Sequence, residues 1–210
     1  MAAARDGVYI WVTWVSKVMA GEQSCEWASW FKAHNTYAKL PSDFNQAGWT
    51  IEHTRKLREL QVERRKLGEQ VSVEAANSIK YCLSNTVTLA GKPDLIGVAK
   101  SGATIFDVKT GQPKTSDSVQ VMIYMHLVPL VIPRYSGTRF AGCVVYNENR
   151  VVIPPEAIDA TFLDNFRYFL DIIGGVEEPL KSPSATECRF CDIPKSECAE
   201  RYVEIANTSV

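Results

Sequence analysis

Residues 91–127 constrain the fold of this chain more than any other stretch of its sequence. Two apolar runs, LIGVA and ATIF, flank the dipeptide Ser101-Gly102. This arrangement is typical of two short strands joined by a tight turn. The residues that follow predict a helix over about 116–131. The stretch therefore predicts a β-hairpin followed by a helix within an α/β fold.

Polar residues occupy the ends of the two predicted strands. Asp94 stands on the first strand, and Asp107 and Lys109 stand on the second. Because side chains alternate along a strand, Asp107 and Lys109 should project from one face and Val108 from the other. Carboxylate oxygens suit Mg²⁺ or Mn²⁺, and such an ion can activate water and neutralise charge on a phosphate. Lys109 would orient that water or stabilise the developing charge, so these residues predict phosphodiester hydrolysis.

The order of these residues resembles a known nuclease motif. Pro93-Asp94 followed by Asp107–Lys109 is similar to the PD-(D/E)xK motif of the nuclease superfamily with that name. Thr110-Gly111, followed by Gln120 and Tyr124 in a Gln-x-x-x-Tyr pattern, resembles the RecB-like branch. Within that branch the chain is similar to the CRISPR-associated iron–sulfur exonucleases.

The resemblance implies an α/β, restriction-endonuclease-like fold, with a central mixed sheet flanked by helices in a single domain over residues 1–210. It also implies roles for the motif residues. The expected metal ligands are Asp94, Asp107 and the Val108 carbonyl, and the expected catalytic residues are Lys109, Asp94, Asp107, Gln120 and Tyr124. Gln120 and Tyr124 are four residues apart, so they share a helical face from which both could reach the metal site and the substrate backbone.

A long helix predicted over about 44–69 supplies a further candidate ligand. His53 shares a helical face with Leu57 and Leu60, so it should point inward. The exonucleases that this chain resembles carry a metal-binding histidine on a helix upstream of the Pro-Asp strand, which implies that role for His53. The neighbouring Glu52 is the competing ligand, and a histidine that simply packs in the core is the alternative interpretation.

The cysteines form a second pattern. Cys188 and Cys191 make a C-x₂-C pair, Cys198 follows in the same predicted loop, and Cys25 opens an aromatic helix predicted over about 24–34. In a chain without a secretory signal, such spacing indicates a metal or cluster site rather than disulfides. The family resemblance implies an iron–sulfur cluster that staples the N- and C-terminal segments, 1–40 and 180–204, into one cap. A 4Fe–4S cluster is preferred, a 2Fe–2S cluster needs the same four thiolates, and a four-cysteine zinc site is the alternative.

Composition limits the other function classes. The chain has 210 residues, 46% of them hydrophobic, and a net charge of −1, so DNA binding must rest on a local basic face. The N-terminus lacks a basic signal-peptide region and no apolar run reaches membrane length, which predicts a cytoplasmic protein without membrane association.

The expected function is that of a Mg²⁺- or Mn²⁺-dependent deoxyribonuclease. By resemblance it is an exonuclease on single-stranded DNA ends, with CRISPR adaptation proteins or another repair or antiviral-defence protein as partner. No G-x₄-G-K-[ST] motif occurs in the sequence, so a helicase activity is not expected from this chain. The alternative is a non-catalytic or zinc-stabilised nucleic-acid-binding or assembly module of the same fold.

Overall fold

A computed structural model describes residues 1–42 and 45–203. The helices in chain order are α1 (Val12–Met19), α2 (Glu26–His34), α3 (Gln46–Lys66), α4 (Thr115–Val131), α5 (Ala160–Gly174) and α6 (Ala185–Phe190). The strands are β1 (Ala3–Ala4), β2 (Val8–Trp11), β3 (Asn35–Thr36), β4 (Gln70–Val73), β5 (Ile79–Cys82), β6 (Val87–Gly91), β7 (Leu95–Ala99), β8 (Gly102–Val108), β9 (Phe140–Val145) and β10 (Arg150–Ile153).

The largest sheet in the described residues has five strands in the order β10-β9-β8-β7-β4. Its strands pair antiparallel except for β8 and β9, which are parallel. A parallel pair needs a crossover connection, and α4 provides it. A three-stranded sheet, β2-β6-β5, and the short pair β1-β3 complete the described sheets. The fold is thus the α/β arrangement with a mixed sheet and flanking helices that the motifs led us to expect.

The predicted hairpin is formed by β7 and β8. Leu95 lies opposite Phe106, and the register continues to Ala99 opposite Gly102. Gly102 has a φ of 149°, a backbone conformation that side-chain-bearing residues rarely adopt. The turn therefore needs glycine where the sequence places it.

Helices cover both faces of the main sheet. Ile105 of β8 packs in a core with α1, α4 and α5, whereas Phe106 and Val108 pack on the opposite face against Leu57 and Leu60 of α3. This alternation orients Asp107 toward α4. Strand alternation thus places the acidic side chain of Asp107 on one face of β8 and the apolar side chains of Phe106 and Val108 on the other.

The terminal segments pack together as a smaller unit. Trp27 and Phe31 of α2 form a cluster with Ile193 and Cys198 of the C-terminal segment. The Asp192 carboxylate accepts a hydrogen bond from the Tyr37 hydroxyl at 3.0 Å. Protein contacts therefore join the two segments that we expected to form the cap, as far as residue 203; residue 204 lies outside the described residues.

Several element boundaries differ from expectation. Cys188 lies on the short helix α6, not in a loop, because Ser184 caps that helix by accepting a hydrogen bond from the Glu187 amide. Helix α5 begins at Ala160, after a 3-10 turn over Pro155–Ala157. The long helix begins at Gln46, and position 44, where we expected its start, lies outside the described residues. Among the described residues, none of the helices combines the length and apolar character needed to cross a membrane.

Candidate active site

Asp94 immediately precedes β7 and is anchored by two elements. Its Oδ2 atom accepts a hydrogen bond from the Val108 amide at 2.8 Å and lies 3.1 Å from His53 Nε2. Asp94 is 9% exposed, and His53 is a buried residue of α3. The hydrogen bond to Asp94 raises the pKa of His53, since the carboxylate stabilises the imidazolium. The structure thus brings His53, 41 residues upstream, into contact with the aspartate of the Pro-Asp motif.

Asp107 is the most buried acid of the site, at 2% exposure. Its Oδ1 atom accepts a hydrogen bond from Gln120 Nε2 at 3.1 Å, and its Oδ2 atom lies 2.8 Å from Lys109 Nζ. The contact with Lys109 is an ion pair, and by hydrogen-bond geometry the buried Oδ2 atom has no donor. Burial raises the pKa of Asp107 to about 6 despite the lowering effect of Lys109.

Lys109 follows β8 and is held by several acceptors. Its Nζ atom donates to Gln120 Oε1 at 3.0 Å and lies 3.6 Å from Asp117 Oδ1. Burial alone would lower the pKa of Lys109, but the negative charges of Asp107, Asp117 and Asp94 together outweigh burial and raise it. Lys109 is therefore a fixed positive charge at the mouth of the acidic site.

Asp117 is a residue of this site that the sequence motif did not identify. It is buried on α4, one helical turn before Gln120, and its Oδ2 atom accepts hydrogen bonds from the Tyr146 hydroxyl at 2.9 Å and the Lys114 amide at 3.1 Å. The spacing of three residues between Asp117 and Gln120 was the available signal, because it places both on one helical face.

Tyr124 lies in the wall of the site. Its hydroxyl accepts a hydrogen bond from the Lys92 amide and another from Gln120 Nε2, each at 3.3 Å. Burial raises the pKa of Tyr124, and the nearby Asp107 adds to this effect. The tyrosine is therefore a neutral donor and acceptor packed against the acid–amide network.

These side chains line one cleft of about 470 Å³. Its lining includes all seven residues expected at the nuclease site: His53, Asp94, Asp107, Val108, Lys109, Gln120 and Tyr124. Glu52 is not among the described residues that line it, whereas Glu74, Trp11 and Trp49, which the motifs did not identify, do line it. Sequence spacing could not have found these three, because each belongs to a different element.

The acids fit a hard divalent cation by donor chemistry. Asp94 and Asp107 offer carboxylate oxygens, and Oδ2 of Asp107 is buried without a hydrogen-bond donor. As placed, no three His, Cys, Asp or Glu side chains of residues 1–42 and 45–203 are arranged so that they could hold a metal ion. His53 and Asp94 contact each other directly. An ion would therefore have to replace that hydrogen bond.

The four candidate cluster cysteines line a separate cavity of about 240 Å³. Cys25 immediately precedes α2, Cys188 lies on α6, Cys191 ends that helix and Cys198 follows in the next turn. All four are free thiols. Burial raises the pKa of Cys198, and Cys25 and Cys191 are close enough to add to that effect. The four thiols from the two chain ends thus line one cavity, although no three of them are arranged, as placed among the described residues, to hold a metal ion.

Polar contacts hold this cysteine cavity closed. The Glu187 carboxylate accepts hydrogen bonds from the Ser24 amide at 2.9 Å and the Cys25 amide at 3.1 Å. Arg201 donates to the Cys191 carbonyl at 2.8 Å. The Glu187 bonds join α6 to the residues before α2, and the Arg201 bond holds the C-terminal segment together.

The fold and the acidic cleft together are those of a nuclease domain, and comparison with known proteins agrees. A family model of the PD-(D/E)XK nuclease superfamily matches residues 22–195, and the chain belongs to that superfamily. Nucleases of this superfamily commonly use Mg²⁺ or Mn²⁺. The match is to the superfamily as a whole, so the RecB-like branch and the CRISPR-associated family stay predictions.

Among solved structures, one described as "Crystal structure of SSO0001" has a TM-score of 0.46 and 14% sequence identity, covering 90% of this chain and 85% of that chain. No curated protein gives a significant match.

Proposed function

We propose that this protein hydrolyses phosphodiester bonds of DNA with Mg²⁺ or Mn²⁺, acting as an exonuclease on single-stranded ends. One observation carries the proposal. A buried carboxylate oxygen of Asp107, without a hydrogen-bond donor, lies beside Lys109 in the cleft that also contains Asp94. Lys109 already pairs with this oxygen, and a divalent cation would supply the further positive charge that keeps two carboxylates in one cleft ionised.

The residues divide the work as follows. Asp94, Asp107, the Val108 carbonyl and neutral His53 would hold the ion, which when bound lowers the pKa of water and neutralises charge on the phosphate. His53 must release its proton to act as a ligand, since a metal competes with a proton for the same nitrogen lone pair. Lys109 keeps its positive charge and presents it to the attacking water or the phosphate oxygens.

Gln120 and Tyr124 act through position. Gln120 donates to Asp107 and accepts from Lys109, so it fixes the position of the acid relative to the lysine of the motif. The Tyr124 hydroxyl accepts from Gln120 and from the Lys92 amide, so it joins α4 to the residue that follows β6. Both side chains therefore preorganise the reacting groups.

Local basic residues support a nucleic-acid substrate on a chain with a net charge of −1. Lys92 lines the acidic cleft, and Lys17 and Lys114 line the neighbouring cysteine cavity. Burial and the nearby charges of Lys32, Lys114 and Lys109 lower the pKa of Lys17. This concentration of positive charge is suited to a phosphate backbone. The preference for single-stranded ends and a partner in CRISPR adaptation, repair or antiviral defence rest on the family resemblance.

We further propose that Cys25, Cys188, Cys191 and Cys198 bind a structural iron–sulfur cluster, preferably 4Fe–4S. Support comes from four free thiols lining one cavity, with Lys17 and other basic side chains to offset thiolate charge. A visible absorption spectrum with iron, sulfide and zinc assays on anaerobically purified protein tests this. A brown protein that contains iron and sulfide supports the cluster; a colourless protein with one zinc per chain replaces it with the zinc alternative.

Loss of a single ligand supplies a second test of the cluster. Cys191→Ser should lose the bound iron and lower the melting temperature, whereas Cys82→Ser, at an exposed thiol outside the cavity, should change neither. Equal iron content in the two variants would exclude Cys191 as a ligand.

Cleavage of a labelled single-stranded oligonucleotide tests the nuclease assignment. Asp107→Asn keeps the acceptor for Gln120 and the side-chain volume but removes the ionised ligand, so cleavage with Mn²⁺ should fall by at least roughly a hundredfold. Asp171→Asn, at an exposed acid on α5, is the matched control and should cleave like the wild type. Full activity of purified Asp107→Asn protein would refute the assignment. Wild-type protein that binds DNA and leaves it intact would favour the non-catalytic module.

A further inference from the structure

Two tryptophans stand at the mouth of the acidic cleft. Trp11 ends β2 and Trp49 lies in the first turn of α3, so the rings come from elements far apart in the chain. Both line the cleft that contains Asp94 and Asp107. Trp11 is 43% exposed and Trp49 is 39% exposed. Large aromatic surfaces kept in contact with water beside a reaction site indicate a ligand that covers them.

Each ring packs against an aromatic neighbour. Trp11 packs against the edge of Tyr9, with ring centroids 5.5 Å apart and an interplanar angle of 70°. Trp49 stacks on His53, with ring centroids 4.9 Å apart and an angle of 27°. Supported rings lose little freedom when a flat ligand stacks on them, since their orientation is already set.

The rest of the rim suits a sugar–phosphate backbone. Lys92 supplies a positive charge to this cleft. Thr13, two residues after Trp11, and Thr50, the residue after Trp49, supply hydroxyl groups to it. A cleft of about 470 Å³ with acids at its base and aromatic rings at its mouth matches a chain that alternates phosphates and flat bases.

We propose that Trp11 and Trp49 form a base-stacking clamp that holds the unpaired bases of single-stranded DNA while the scissile phosphate enters the acidic cleft. This inference rests on the proposed nuclease function and adds the residues that select the substrate. Bases in a duplex stack on one another and have no free face for a tryptophan, so the clamp favours single strands and frayed ends. Stacking tolerates any base, so no sequence preference is expected from it.

Equilibrium binding separates stacking from phosphate contacts. Fluorescence anisotropy is measured with a labelled thymidine oligonucleotide and with an oligonucleotide of the same length that carries abasic sites, with EDTA present to prevent hydrolysis. Trp11→Ala and Trp49→Ala should each raise the Kd for the thymidine oligonucleotide about 5- to 150-fold, the range expected for loss of one base–aromatic stack. The Kd for the abasic oligonucleotide should change less than about twofold, since it has no base to stack.

Two controls make the result specific. Tyr168→Ala removes an aromatic side chain that is 58% exposed on α5, outside the cleft, and should leave both affinities unchanged. Trp49→Phe keeps a ring over His53 and should recover most of the affinity lost in Trp49→Ala.

The base-stacking proposal is refuted if wild-type protein binds the two oligonucleotides with equal Kd, or if the tryptophan variants raise the Kd for both oligonucleotides to the same extent. It is also wrong if the variants weaken neither. Failure of the nuclease assignment has a different signature, because wild-type protein would then bind thymidine DNA in preference to abasic DNA but would not cleave it with Mn²⁺.

Discussion

Replacing Asp117 with asparagine should destabilise the fold and displace Lys109 without changing side-chain volume. The Oδ2 atom of Asp117 accepts from the Tyr146 hydroxyl and the Lys114 amide, and its Oδ1 atom faces Lys109 Nζ at 3.6 Å. Asparagine has one acceptor oxygen and one donor nitrogen. In either orientation of the new amide, an NH₂ group must point at a donor or at an ammonium group.

The magnitude follows from these contacts. Removing one charged partner from a buried hydrogen-bonded pair costs about 1.5–3 kcal/mol in the free energy of unfolding. Since a protein of this size loses about 2–4 °C of melting temperature for each kcal/mol, the expected decrease is roughly 3–12 °C. The charge of Asp117 also raises the pKa of Lys109. Its loss therefore lowers that pKa, and the alkaline limb of the pH–rate profile should move to lower pH if Lys109 acts as a cation.

Thermal unfolding by circular dichroism and the pH dependence of oligonucleotide cleavage measure the two effects. Tyr146→Phe is the matched control: it removes one hydrogen bond to Asp117 but keeps the charge, so stability should fall while the alkaline limb stays in place. The reasoning fails if Asp117→Asn unfolds within about 0.5 kcal/mol of the wild type, which is the range of an exposed substitution. If stability falls but the alkaline limb of the pH–rate profile does not move, only the inferred role of Lys109 as a cation is refuted.

Two further predictions concern the same cleft. Gly91→Ala should lower the free energy of unfolding by about 1–3 kcal/mol, because a Cβ atom there would lie 2.6 Å from the buried Tyr124 ring. Gly111→Ala is the control, since its Cβ atom would meet nothing within 4 Å and the change should be nearly neutral. Urea unfolding compares the two variants, and equal midpoints would contradict the close approach at Gly91. Because carboxylates bind metal only when ionised, and burial raises the pKa of Asp107 to about 6, the affinity for Mn²⁺ should fall at least about tenfold per pH unit below that value, with protonation of His53 adding to the loss. Isothermal titration between pH 5 and pH 8 measures it, and an affinity that does not change over this range would exclude Asp107 as a ligand.

Local patterns in the sequence were sufficient for the centre of the fold. The apolar runs on either side of Ser101-Gly102 define the β7–β8 hairpin, because strand alternation and turn chemistry act over a few residues. The same alternation separates Asp107 from Val108. Boundaries that depend on capping were less predictable. Helix α6 around Cys188 is only six residues long, so it has too few periodic positions to be recognised.

The sequence by itself determined the hairpin, the acid–lysine motif on its second strand and the superfamily, since all of these depend on neighbours along the chain. Only the tertiary structure decided which distant residues join them. His53 meets Asp94 because α3 packs on one face of the sheet, and Asp117 meets Lys109 because α4 crosses the other face between two parallel strands. Trp11 reaches the same cleft from a separate sheet. Contacts of this kind depend on how helices and sheets pack, which short-range periodicity does not encode.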